Sequence, residues 1–76
     1  MYDIIVADFN VGREYIRKQK LDPKKTILIN GVHNVTQMAQ IKEGNAVVHK
    51  VQTTHLDSNV LRMVDEVARK RKFELK

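Results

Sequence analysis

Asp3-Ile4-Ile5-Val6-Ala7-Asp8 is a short aliphatic run bounded by two acids. Its apolar residues are continuous rather than alternating, which is typical of a strand that is buried on both faces. Two further runs follow, Thr26-Ile27-Leu28-Ile29 and Ala46-Val47-Val48-His49-Lys50-Val51. The polar tail of the last run shifts toward alternation, as expected near the edge of a sheet. We therefore predict three strands and place the first in the centre, because it is the most continuously apolar.

Two helical patterns lie between these strands. After Asn10, a natural N-cap, residues 11–20 repeat apolar or small side chains four positions apart. The repeat stops before Pro23, since proline disfavours helical backbone at the residue that precedes it. Residues 32–41 carry apolar side chains three and four positions apart, and Gly44 follows where a helix C-cap would lie.

A third helix follows the last strand, and its pattern is the clearest in the chain. Asp57 or Ser58 can cap its start. Its apolar residues form one stripe, as in a helix that packs on a core: Val60, Leu61, Val64, Val67 and Ala68. Residues 72–75 alternate weakly, which is compatible with either a short fourth strand or a frayed tail.

Strand and helix thus alternate three times with short links, which predicts a parallel sheet with right-handed crossovers. We expect one α/β domain over residues 1–76. It would be a small three-layer, Rossmann-like or flavodoxin-like βαβαβα unit with a three-stranded sheet of order 2-1-3. That order places the first two crossover helices on opposite faces of the sheet.

The composition restricts the classes of function. The 76 residues contain no cysteine, which excludes disulfides, thiolate nucleophiles and zinc ribbons and fits a reducing compartment. The aliphatic run 4–7 is far shorter than the roughly 20 apolar residues of a membrane span. We predict a cytoplasmic protein, monomeric or weakly dimeric, with no cofactor, no metal and no membrane association.

A sheet of order 2-1-3 has a crevice beyond the ends of its first and third strands, where open α/β sheets usually bind ligands. The residues predicted to line this crevice are Asp8, Asn10, Asn30, Thr53, Thr54 and His55. No phosphate-binding loop accompanies them, because the three glycines lie far apart in the sequence. The histidines at positions 33, 49 and 55 lack the spacing of a metal site, so we interpret them as surface or partly packed residues.

The formal charge of +5 is the strongest functional signal, because such an excess favours association with polyanions or acidic surfaces. The cations concentrate in two clusters that we predict to bind polyanions: Arg13, Arg17, Lys18 and Lys20, and Arg69, Lys70, Arg71 and Lys72. A simpler interpretation is also open, since Glu14 with Lys18, and Asp65 with Arg69, are spaced as ion pairs on solvated helices.

Two resemblances rest on short motifs. The strand 3–8, the link Leu21-Asp22-Pro23 and the loop Thr53-Thr54-His55-Leu56-Asp57 together resemble small phage-encoded α/β proteins of unknown function. That resemblance implies an accessory protein, in the host cytoplasm if phage-encoded. Asp8-Phe9-Asn10 is similar to the opening of metal-dependent nuclease domains, but residues 30–34 contain none of the acids that such a site needs.

Two functions follow as hypotheses. The first is a small basic accessory protein, a non-enzymatic binding module that engages an acidic protein partner or nucleic acid. The alternative is a small metal-dependent nuclease or hydrolase centred on Asp8. The sequence contains no row of exposed aromatic residues on which single-stranded bases could stack.

Overall fold

The computed structural model describes residues 1–41 and 44–75. Strands and helices alternate along the whole described chain, and a single 3-10 turn at Pro23–Lys25 precedes the second strand. The bounds are β1 Tyr2–Val6, α1 Phe9–Lys18, β2 Thr26–Ile29, α2 Val32–Ala39, β3 Ala46–Lys50, α3 Ser58–Lys70 and β4 Glu74–Leu75.

The four strands form one parallel sheet in the order β2-β1-β3-β4. The predicted Rossmann-like α/β class, the parallel sheet and the order 2-1-3 are therefore confirmed. Residues 74–75 add the short fourth strand at the edge beside β3. Strand β1 is central because its residues Ile4, Ile5 and Val6 are fully buried between neighbours on both sides.

The strand register separates the side chains into two faces. Ile4 pairs with Ile27 and Val48, and this face packs against α2 and α3. Ile5 pairs with Leu28 and His49, and this second face packs against α1. The first two crossover helices therefore lie on opposite faces, as predicted, and the domain has three layers.

The main apolar core lies between the sheet and the α2–α3 layer. Besides the strand residues it contains Val35 and Met38 of α2 and Val60, Val64 and Ala68 of α3. Leu61 and Val67, which we predicted to belong to the stripe of α3, are only partly buried and pack against its border. They lie at the sides of the stripe, where the helix surface curves away from the sheet.

Of the described elements, only α1 covers the opposite face, and α1 approaches β2 closely. A Cβ atom built on Gly12 would lie 2.2 Å from a methyl carbon of Leu28. Gly12 is buried in this contact. Because Gly12 has no side chain, α1 can pack directly on β2. This contact explains why glycine stands in the middle of a helix, although glycine destabilises helix interiors.

Two predicted helix caps are wrong. The N-cap of α1 is Asp8 rather than Asn10, because the Asp8 carboxylate accepts a hydrogen bond from the Val11 backbone N–H at 2.9 Å. Helix α2 ends at Ala39 with Gln40 as its C-cap, before Gly44. Of the two predicted caps of α3, Asp57 and Ser58, the structure selects Asp57, which accepts from the Asn59 N–H at 2.8 Å.

Candidate functional site: a basic edge and a Tyr-His-Asp chain

The predicted crevice residues follow the strand ends, but their polar groups are used locally. Asp8 caps α1, and the Thr54 hydroxyl donates to the Gln52 side chain at 2.8 Å. In the described part of the chain, no hydrogen bond or ion pair joins Asp8 to Thr53, Thr54 or His55. Asn10 and Asn30 are exposed. The structure therefore does not join the two sides of this crevice into one polar site.

A metal centre needs several convergent ligands. Within residues 1–41 and 44–75, no group of three or more histidine, aspartate or glutamate side chains could hold a metal ion. Over the same residues, no helix has the length and apolarity to cross a membrane. Asp8 accordingly has an evident role in helix capping and no cluster of acids around it.

The topology brings the two basic clusters to the same edge of the sheet, the one at which the parallel strands begin. Each helix connects two parallel strands and runs back against them, so each helix ends where the strands begin. We call one group of cations the basic edge: those at these helix ends and in the turns that come directly after them. Its members are Arg17, Lys18, Lys20, Lys24, Lys25, Arg69, Lys70, Arg71 and Lys72.

The two clusters share this edge but not one face. Helix α1 lies on one side of the sheet and α3 on the other, so a ligand that touches both must cross the edge of the sheet. Arg13 lies one turn further back on α1, with its guanidinium 5.3 Å from the Phe9 ring centroid. The whole domain measures 29 × 26 × 20 Å, which limits the distance between the clusters.

Few carboxylates neutralise these cations. Glu14 lies 3.4 Å from Arg17 and 3.6 Å from Lys18, but these are exposed pairs of the kind that contribute little. The predicted pairing of Asp65 with Arg69 is absent, because Asp65 instead accepts from Lys50. Among the described residues, Lys20, Arg69, Lys70 and Lys72 have no ion-pair partner.

Arg71 differs from its neighbours. Its guanidinium donates to the backbone carbonyl of Ile41, beyond the end of α2. The side chain is partly buried, and it ties the end of α3 to the end of α2. Arg71 thus has a structural contact that the other cations of the cluster lack.

Lys20 and Lys72 share an unusual backbone conformation. Each follows the C-cap of its helix, and their φ angles are 54° and 57°, in the left-handed region. This position favours glycine, because a Cβ atom there costs about 1–2 kcal/mol. Both α1 and α3 are therefore followed by a lysine in strained backbone, at a position where glycine would have a lower conformational free energy.

Helix α1 also borders an open groove of about 520 Å³. Three of the predicted polyanion-binding residues, Arg13, Arg17 and Lys20, line it together with apolar side chains. Lys18 instead lines a second groove with Tyr15. The α1 cluster therefore divides between two sides of its helix.

A polar chain on the α1 face of the sheet was not foreseen from the sequence. The Tyr15 hydroxyl lies 2.9 Å from His49 Nδ1, and His49 Nε2 lies 3.0 Å from Asp3 Oδ1. The His49 side chain is only 10% exposed, and that of Asp3 is 27% exposed. The sequence holds one hint, because Asp3 and His49 are polar residues within predicted strands. Only the register places them on the same face, two positions apart.

The hydrogen-bond donors in this chain follow from the chemistry of the groups. An ionised carboxylate only accepts, so His49 Nε2–H donates to Asp3. In neutral His49 the other nitrogen, Nδ1, is then unprotonated and accepts from the Tyr15 hydroxyl. The arrangement is a hydroxyl, a base and an orienting carboxylate in series, drawn from α1, β3 and β1.

Comparison with protein-family models, with curated proteins and with solved structures gave no match to this chain. The class of protein therefore rests on the fold and the site. It is a small, basic, Rossmann-like α/β domain with most of its lysines and arginines at the edge where α1 and α3 end.

Proposed function

We propose that this protein is a binding module that engages the phosphate backbone of a nucleic-acid duplex through its basic edge. The observation that carries the proposal is the pair Lys20 and Lys72, each in a left-handed conformation at a helix end. Strained backbone at a particular place supports a functional role for that place. In both cases here the strained residue carries a cation with no ion-pair partner among the described residues, and both cations lie at the same edge.

Neutralisation of the helix dipoles explains only part of this charge. A cation stabilises a helix C-terminus when it lies in the last turn, as Arg17 and Arg69 do. Lys20, Lys24 and Lys72 lie beyond the ends of α1 and α3, Lys24 in the 3-10 turn that precedes β2. They extend the basic edge past the region in which the dipole acts, and a polyanion is the ligand that would contact them together.

The dimensions support a duplex backbone as that polyanion. Duplex DNA presents one negative charge per roughly 1.7 Å of axis, so a duplex that lies along the longest dimension of the domain, 29 Å, presents about 17 phosphates to it. Among the described residues, the cations of the basic edge lie at helix ends and on turns rather than along one helix that could enter a groove. We therefore expect binding with little sequence preference.

The test is binding of the protein to a mixed-sequence DNA duplex over a range of salt concentrations. With about five phosphate contacts, the logarithm of the affinity should fall against the logarithm of salt with a slope of about −4.5. Poly-glutamate serves as the acidic-protein control and should bind more weakly. No duplex binding at low salt, or tighter binding of poly-glutamate, would overturn the proposal in favour of an acidic protein partner.

A further inference from the structure

The Tyr15–His49–Asp3 chain lies outside the basic edge, and polyanion binding makes no use of it. Burying a polar network against a sheet is costly unless every member is paired, and here three elements of the fold each contribute one member. A hydroxyl bonded to a histidine, which is itself oriented by a carboxylate, is the arrangement by which proteins activate a nucleophile.

Tyr15 also has access to the surface. Its side chain lines an open groove of about 320 Å³ together with Val11, Val51, Lys18 and Glu14. The valines offer an apolar wall to an organic substituent, while Lys18 lies beside Glu14, with 3.6 Å between its ammonium nitrogen and the carboxylate. An exposed pair of this kind is weak, so Lys18 can exchange Glu14 for the oxyanion of a ligand. The groove thus places Tyr15, with a base behind its hydroxyl, beside an exchangeable cation.

We propose that Tyr15 is an activated acceptor for one phosphoryl group, delivered by an organic phosphoryl donor that sits in this groove. Tyr15 Oη forms the new bond to phosphorus as the bond from phosphorus to the leaving group breaks. The phenolic proton passes to His49 Nδ1, and the Asp3 carboxylate stabilises the resulting imidazolium. The leaving group departs with its electron pair, and the proton is later released to solvent.

The reaction is a stoichiometric modification. It shares only Lys18 with the basic edge, and its test does not require polyanion binding. The proposal predicts that Tyr15 reacts faster than an ordinary tyrosine. The chain contains an internal reference in Tyr2, the other tyrosine. Tyr2 is also partly buried, but it is not a member of the Tyr15–His49–Asp3 hydrogen-bond chain.

Diisopropyl fluorophosphate is a suitable probe, because its phosphorus–fluorine bond breaks as the tyrosine–phosphorus bond forms, with loss of fluoride and a proton. Mass spectrometry after trypsin digestion separates the two sites, since cleavage after Arg13 divides Tyr2 from Tyr15. We expect Tyr15 to be labelled at least about tenfold faster than Tyr2, given that a positioned base typically contributes 10²–10⁴-fold. Tyr15→Phe should abolish this fast labelling.

Two variants test the chain itself. Asp3→Asn keeps the shape of the side chain, and His49→Gln removes the base; each should slow Tyr15 labelling about tenfold or more, with unchanged circular dichroism. Asp65→Asn is the matched control, because Asp65 pairs with Lys50 and is not part of the Tyr15–His49–Asp3 chain. In this variant Tyr15 should be labelled at the parent rate. Labelling of Tyr15 no faster than Tyr2, or at the parent rate in folded Asp3→Asn, would overturn the proposal.

Discussion

Ile4→Ala should lower the free energy of unfolding by about 2–5 kcal/mol, the range found for large-to-small changes at fully buried positions. Ile4 is 0% exposed and lies on the central strand, between Ile27 and Val48. Its removal leaves a cavity that β1 cannot close, because strands hold it on both sides. A domain of this size has a small total stability, so the variant should melt at least about 10 °C lower than the parent.

Ile27→Ala is the matched control, since Ile27 is the register partner of Ile4 on the same face but lies on an edge strand and is only partly buried. We expect a loss of about 1–2 kcal/mol there. Urea unfolding of both variants measures the difference. Equal losses would contradict the placement of β1 at the centre of the sheet.

Lys20→Gly combined with Lys72→Gly should stabilise the fold and weaken duplex binding in the same protein. Glycine relieves the left-handed strain at both positions but loses more chain entropy on folding. The net gain should be on the order of 0.5–1 kcal/mol per site. The loss of two phosphate contacts should make the salt slope of duplex binding shallower by about two.

The matched control removes two charges elsewhere. Lys50 and Arg62 lie outside the basic edge, on β3 and in the first half of α3. Lys50→Gln with Arg62→Gln gives the same net charge as the double glycine variant and should leave the salt slope near its parent value. If both variants weaken binding equally, net charge rather than the basic edge is responsible.

Much of the fold follows from local patterns. The continuous apolar run 4–7 predicted the central strand, and the spacing on α3 predicted Val60, Val64 and Ala68 as core. The caps were harder, because several polar residues follow β1 and only the backbone path selects Asp8 over Asn10. The burial of Leu61 was overestimated because a helix wheel does not show how far a flat sheet extends beneath it.

The candidate site was predictable only in part. The sequence located both basic clusters, and a parallel topology by itself implies that they meet at one edge. The opposite faces of α1 and α3 and the backbone strain at Lys20 and Lys72 required coordinates. The Tyr15–His49–Asp3 chain depends on the register of β1 against β3, which no local pattern reveals.

The most direct test of the proposed function is an amide chemical-shift map of the protein on addition of a short mixed-sequence duplex at low salt. The basic edge predicts that the largest changes occur at the ends of α1 and α3, around Lys20 and Lys72, on both faces of the sheet. Changes centred on the opposite edge, around Asp8 and residues 53–55, or no changes at all, would contradict it.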